Sequence, residues 1–76
     1  MKISATIITF NEESKIKEAC QSVAWADEIV VIDADSTDST RERASLTGAR
    51  VITNSWPGFA FQKQFAVDQA KHDWVF

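Results

Sequence analysis

Apolar and polar positions alternate in blocks along this chain. Ile3–Thr9 is rich in β-branched residues and apolar on both faces, which predicts a strand inside a parallel sheet. Asn11 follows as an N-cap, with Glu12 and Glu13 in the first helical turn, where the helix dipole favours negative charge. Ile16, Ala19, Cys20 and Val23 then fall at the spacing of one buried helical face. Glu28–Ile32 is a second apolar run, and it enters the polar segment Asp33–Thr40, read as a loop and then a helix start capped by Asp38 or Ser39. Gly48 is placed to end that helix in a left-handed conformation. Ala49–Thr53 predicts a third strand, Asn54–Gly58 a turn, and Phe59–Lys71 a third helix in which Phe61 and Phe65 lie one turn apart beside Ala66 and Ala70. Asp73–Phe76 opens a fourth strand.

The order β-α-β-α-β-α-β predicts an α/β fold: a parallel sheet with right-handed crossovers. Ligands of such sheets bind beyond the carboxyl ends of the strands. Here those ends are Thr9–Glu12, Asp33–Asp38 and Asn54–Gly58.

Composition narrows the choice. With 76 residues the chain is at most one domain. A chain this short buries only roughly 60% of its unfolded surface, so its core is marginal. Small proteins usually compensate with disulfides or metals. One cysteine and one histidine provide neither an internal disulfide nor a conventional zinc site. The missing staple, and an end at Phe76 inside an apolar run, read as one part of a longer protein. Net charge is -3, which argues against a nucleic-acid footprint. No apolar run approaches the ~20 residues of a membrane span. Ser4, Thr6 and Thr9 interrupt what would otherwise pass for a signal peptide, and a reduced, cytoplasmic setting is the simplest reading.

Candidate chemistry concentrates in Asp33-Ala34-Asp35-Ser36-Thr37-Asp38. Aspartates favour caps and turns, so a structural role is the bland reading. Calcium binding fails, because an EF-hand loop needs glycine at its sixth position and glutamate at its twelfth, where this chain has Asp38 and Ala44. Asp33-x-Asp35-x-Thr37 after four apolar residues resembles the nucleophile motif of haloacid-dehalogenase-type phosphatases. That likeness implies Asp33 as nucleophile, Asp35 as acid/base and a Mg²⁺ ion. It leaves the first strand and its turn without a role.

A second resemblance covers nearly the whole chain. Ile7-Ile8-Thr9-Phe10-Asn11-Glu12 resembles the opening of family 2 glycosyltransferases, inverting enzymes of the GT-A fold. Val30–Thr40 resembles that family's second-strand signature. Trp25-Ala26-Asp27-Glu28-Ile29 and Trp56-Pro57-Gly58-Phe59 with Gln62-Lys63 look like a bacterial branch that builds lipopolysaccharide cores. The resemblance implies that residues 1–76 are the N-terminal, Rossmann-like, nucleotide-sugar-binding half of such a domain. It implies a UDP-sugar donor, a glycan or lipid-linked acceptor, and a protein in the cytoplasm or peripheral to the cytoplasmic face of the inner membrane. It assigns nucleotide binding to Thr9, Phe10, Asn11, Glu12, Asp33, Asp35 and Lys63. The Asp33 carboxylate would accept from a pyrimidine N3–H, a charge-assisted bond. Thr9, Phe10 and Asn11 would frame the base, Glu12 would reach the ribose, and Lys63 the base or diphosphate. Asp35 departs from the family's usual glycine, and contact with the ribose is one consequence open to it. The family's Asp-x-Asp motif, which holds Mg²⁺ or Mn²⁺, would follow Phe76, so this chain has no metal ligand or general base of its own and no turnover is expected.

The remaining candidates have plainer readings. Cys20 reads as a buried thiol, His72 as a solvated residue at a helix end, and Trp25, Trp56 and Trp74 as core or loop-packing residues, Trp56 with the alternative of lying under a sugar or base. A third function class, a non-catalytic interaction module, stays open, as does self-association through an exposed fourth strand.

Overall fold

The computed structural model describes residues 2–72 together with Trp74 and Val75. The element order is β1 (Ile3–Thr9), α1 (Ile16–Ser22), β2 (Glu28–Asp33), α2 (Thr40–Leu46), β3 (Arg50–Thr53), α3 (Phe59–Gln69) and β4 (Trp74–Val75). The expected strand residues Asp73 and Phe76, and the side chain of Trp74, lie outside the described residues.

All strand pairs are parallel, in the order β3-β2-β1-β4. The chain thus builds outward from β1 through β2 to β3, then crosses back to β1's other side. That reversal is the switch-point arrangement of nucleotide-binding α/β sheets. The register aligns Thr9 with Asp33 and Asp33 with Thr53, so three polar side chains form one row at the carboxyl edge.

Alternation along the central strand sends side chains to two cores. Val31 packs with Ile16 and Cys20 of α1 and Ala44 of α2. Val30 and Ile32 pack with Ala66 of α3 on the opposite face. Helices on both faces explain why β2 is apolar almost throughout rather than at every second position. The Cys20 thiol is buried, as its helical position predicts.

Two sequence expectations are corrected. Asn11 does not cap α1. It sits in the left-handed region, φ 49°, and its carboxamide oxygen accepts from the Thr37 backbone N–H at 2.8 Å, so its capping capacity is used on a different loop. Residues 13–15 form a turn and α1 starts at Ile16. In α3, Phe61 is 73% exposed, while Gln62 and Ala66 face the core. Gln62 can be there because its amide is satisfied: Asn54 Nδ2 donates to Gln62 Oε1 at 2.8 Å and Gln62 Nε2 donates to the Asn54 carbonyl at 2.9 Å. Trp25 is largely exposed and its indole N–H donates to the Ser22 carbonyl at 3.2 Å, so of the core and loop-packing readings the second holds. Gly48 ends α2 at φ 91°, as expected.

Candidate functional site

The polar row at the carboxyl edge is organised by Asp33, which is 0% exposed. Its Oδ2 accepts from the Ser36 backbone N–H at 2.8 Å and its Oδ1 from the Ser36 hydroxyl at 2.5 Å. The Arg41 Nε lies 3.7 Å from Oδ2. A buried carboxylate needs such partners, because an unpaired charge there would be costly. Asp33 therefore folds the loop that follows β2 onto itself.

That loop in turn holds the loop after β1. The Asn11 N–H donates to the Ser36 hydroxyl at 2.8 Å, and the Glu12 N–H to Thr40 Oγ1 at 2.9 Å. The Glu13 N–H donates to Asp38 Oδ2 at 3.3 Å, and the Ser39 N–H to Glu13 Oε2 at 3.3 Å. Asp38 also accepts from the Thr40 N–H at 3.0 Å and from its hydroxyl, which caps the start of α2. The Thr40 hydroxyl holds the Asp38 carboxyl below its ordinary range, and backbone N–H groups add to this against a smaller opposing effect of burial.

Thr9 is 5% exposed, and its hydroxyl has no hydrogen-bond partner among the described residues. Leaving a buried hydroxyl unpaired costs on the order of 1–3 kcal/mol. A group of this kind at a strand's carboxyl end is a candidate ligand contact. Phe10, Asn11 and Glu12 beyond it are exposed. Lys63 is exposed on α3 and makes no ion pair among the described residues.

Asp35 occupies the left-handed region at φ 59°. Asp is among the few side chains that tolerate this conformation, which is compatible with the glycine that the family resemblance implies here. Its exposed carboxylate accepts from the Ser55 hydroxyl of the β3–α3 loop. On the α3 face, Phe10, Ala34 and Trp56 line an apolar cleft of about 430 Å³.

The three aspartates are committed to separate partners, Ser36, Ser55 and Thr40. No group of three potential metal ligands converges among the described residues. The described side chains at this edge thus do not converge on a metal site. Both Asp33 oxygens accept from Ser36, so a phosphoryl-transfer role for Asp33 would require that pairing to break.

The loops after β1, β2 and β3 meet at one edge of a switch-point sheet, and the sequence model of Glycosyl transferase family 2 matches residues 4–76. The chain belongs to glycosyltransferase family 2. An uncharacterized glycosyltransferase of Rickettsia bellii is 47% identical over 75 residues, covering 97% of this chain and 26% of the relative. The lipopolysaccharide core biosynthesis glycosyltransferase LpsC of Rhizobium meliloti is 36% identical over 84 residues, covering 100% of this chain and 30% of LpsC. The chain thus spans about a quarter to a third of the length of these relatives. The crystal structure of Mycobacterium tuberculosis glucosyl-3-phosphoglycerate synthase in complex with Mn²⁺, UDP-glucose and phosphoglyceric acid superposes with a TM-score of 0.84 at 29% identity, covering 97% of this chain and 31% of that one. The family 2 chain therefore has the α/β, GT-A-type fold expected from its sequence. No helix among its described residues is long and apolar enough to cross a membrane.

Sequence reasoning missed two residues of this edge. Gln62 joins the core and fixes the β3–α3 loop, and Ser36 joins the β1 and β2 loops. Both stand in family-like segments, but their roles have no local signature, because each acts through a partner distant in sequence or through the fold.

Proposed function

We propose that this chain is the donor-binding part of an inverting glycosyltransferase. It would transfer a sugar from a nucleoside diphosphate, in the first instance a UDP-sugar, to a lipopolysaccharide or other cell-envelope glycan acceptor. The observation that carries this reading is the unpaired, buried Thr9 hydroxyl, set at the carboxyl edge where the two hydrogen-bonded loops meet. A pyrimidine carbonyl or ribose oxygen would complete it. The mycobacterial synthase crystallised with UDP-glucose supports the donor class, and LpsC supports the acceptor class.

In this reading Phe10 and Asn11 frame the base, Glu12 and Asp35 reach the ribose, and Lys63 approaches the base or the diphosphate. Asp33 fixes the loop. A direct bond from a base N3–H to Asp33 requires the Ser36 hydroxyl to release one carboxylate oxygen. The edge is acidic, with Glu12, Glu13, Asp33, Asp35 and Asp38 against Arg41, so a diphosphate needs a cation beside it. Mg²⁺ or Mn²⁺, held by residues outside this chain, would stabilise the diphosphate leaving group. Those residues and the general base are assigned to the rest of the protein, and the 76 residues alone are expected to bind donor without turnover.

Titration with UDP and UDP-glucose, followed by backbone amide resonances, tests the reading. Shifts centred on residues 9–12 and 33–38 are expected. Saturating UDP without response at either loop sinks it.

A further inference from the structure

The apolar cleft beside Phe10 is closed on its far side by Trp56, which is 53% exposed although it is large and apolar. Its loop is short but strongly held. The Asn54 N–H donates to the Asp33 carbonyl at 2.8 Å. The buried Gln62 amide clasps Asn54 twice, and Ser55 donates to Asp35. Gly58, at φ 107°, turns the chain from Trp56 into α3, and the Phe59 ring lies 6.3 Å from the indole at 56°. A loop tied to β2, to α3 and to the neighbouring loop presents its tryptophan in one place.

We propose that Trp56 is a donor-affinity residue whose indole packs on the face of the donor's pyrimidine base, and that Gln62 is the positioning residue that holds it there. This rests on the donor reading above. The volume falls in the range of roughly 300–1,000 Å³ typical of small-molecule sites. The lining decides the occupant. Phe10, Ala34 and Trp56 present aromatic and aliphatic surface to the cleft, whereas a diphosphate requires charged partners, and a sugar requires hydrogen-bond partners for its hydroxyls besides any packing on the indole. A base has two apolar π-faces and polar edges, and aromatic side chains stack on bases irrespective of their sequence.

The test uses the full-length protein with UDP and Mn²⁺, by calorimetry and by the indole N–H resonances. UDP is expected to shift the Trp56 indole signal and leave Trp25, on the loop before β2, unmoved. Trp56→Ala is expected to weaken UDP binding about tenfold or more, and Trp56→Phe to restore most of it. Gln62→Leu is expected to weaken UDP binding as well, and the Trp56→Ala/Gln62→Leu double variant to bind no worse than Trp56→Ala alone. A purely structural Gln62 would instead add its loss to that of Trp56. Because Trp56 is exposed, its variants keep the fold, which a thermal melt checks. Wild-type binding with a silent Trp56 signal and unchanged affinity in Trp56→Ala overturns this inference and leaves the donor reading intact. No UDP binding by the wild-type protein overturns both.

Discussion

Thr9 carries a cost that a structural residue would not. Its hydroxyl is buried and unpaired, so Thr9→Val, nearly the same shape, is expected to leave the unliganded protein as stable or up to about 1 kcal/mol more stable. The same change is expected to weaken UDP binding. Paired melting and calorimetry measure the two signs, and a Val variant that loses stability would mean the hydroxyl has a partner within the protein. Asp35 makes a second residue-scale prediction. At φ 59° a β-branched side chain is strained, so Asp35→Val is expected to destabilise by about 1–3 kcal/mol, and Asp35→Gly by clearly less. Equal losses in denaturant titrations would show that the Ser55 bond, not the backbone angle, sets the value of Asp35.

At the scale of elements, the strands and the buried face of α1 were readable from apolar pattern alone. Parallel strands covered on both faces leave a signal that no tertiary detail alters. The start of α1 was not readable. Asn11 looks like a cap because the local rule sees only the following amides, whereas its carboxamide is taken by Thr37, far along the chain. Gln62 was missed for the same reason. A polar residue enters the core only when a partner satisfies it, and that partner is Asn54 in another element. The aspartate loop was legible as a candidate site, but the enclosure of Asp33 was not, since burial of its carboxylate depends on Ser36 and Arg41 folding over it. Gly58 links these features. At φ 107° and ψ 152° it holds a conformation essentially restricted to glycine, so Gly58→Ala is expected to cost about 1–3 kcal/mol and to displace Trp56. Heat denaturation of the variant measures the first effect and its indole resonance the second.

For the molecule as a whole, Glu28 ties together the end opposite the candidate site. It accepts from the Ser4 hydroxyl of β1 and from the Lys71 N–H beyond α3, and pairs with Arg50 of β3 at 3.4 Å. Burial pushes its carboxyl up, but the Lys71 N–H, the Ser4 hydroxyl and Arg50 together outweigh this and hold it low. Its folded pKa is therefore below its unfolded value. The stability it supplies is complete above the ordinary carboxylate range near about 4 and is lost as pH falls through the folded value. Asp38 acts in the same direction. Glu28→Gln is thus expected to lower the melting temperature at pH 7 and to approach the wild type by pH 3. A gap that persists at pH 3 would assign the loss to packing rather than charge.

The hydrogen bonds shared between the loops after β1 and β2 have a consequence for how this edge meets solvent. Loop amides ordinarily trade their protons for deuterium first. Here the amides of Asn11, Glu12 and Glu13 are held by side chains of the second loop, and those of Thr37 and Ser39 by side chains of the first. Neither loop can open to deuterium without stripping protection from the other. The five amides are expected to exchange together, as a slow island between faster surfaces.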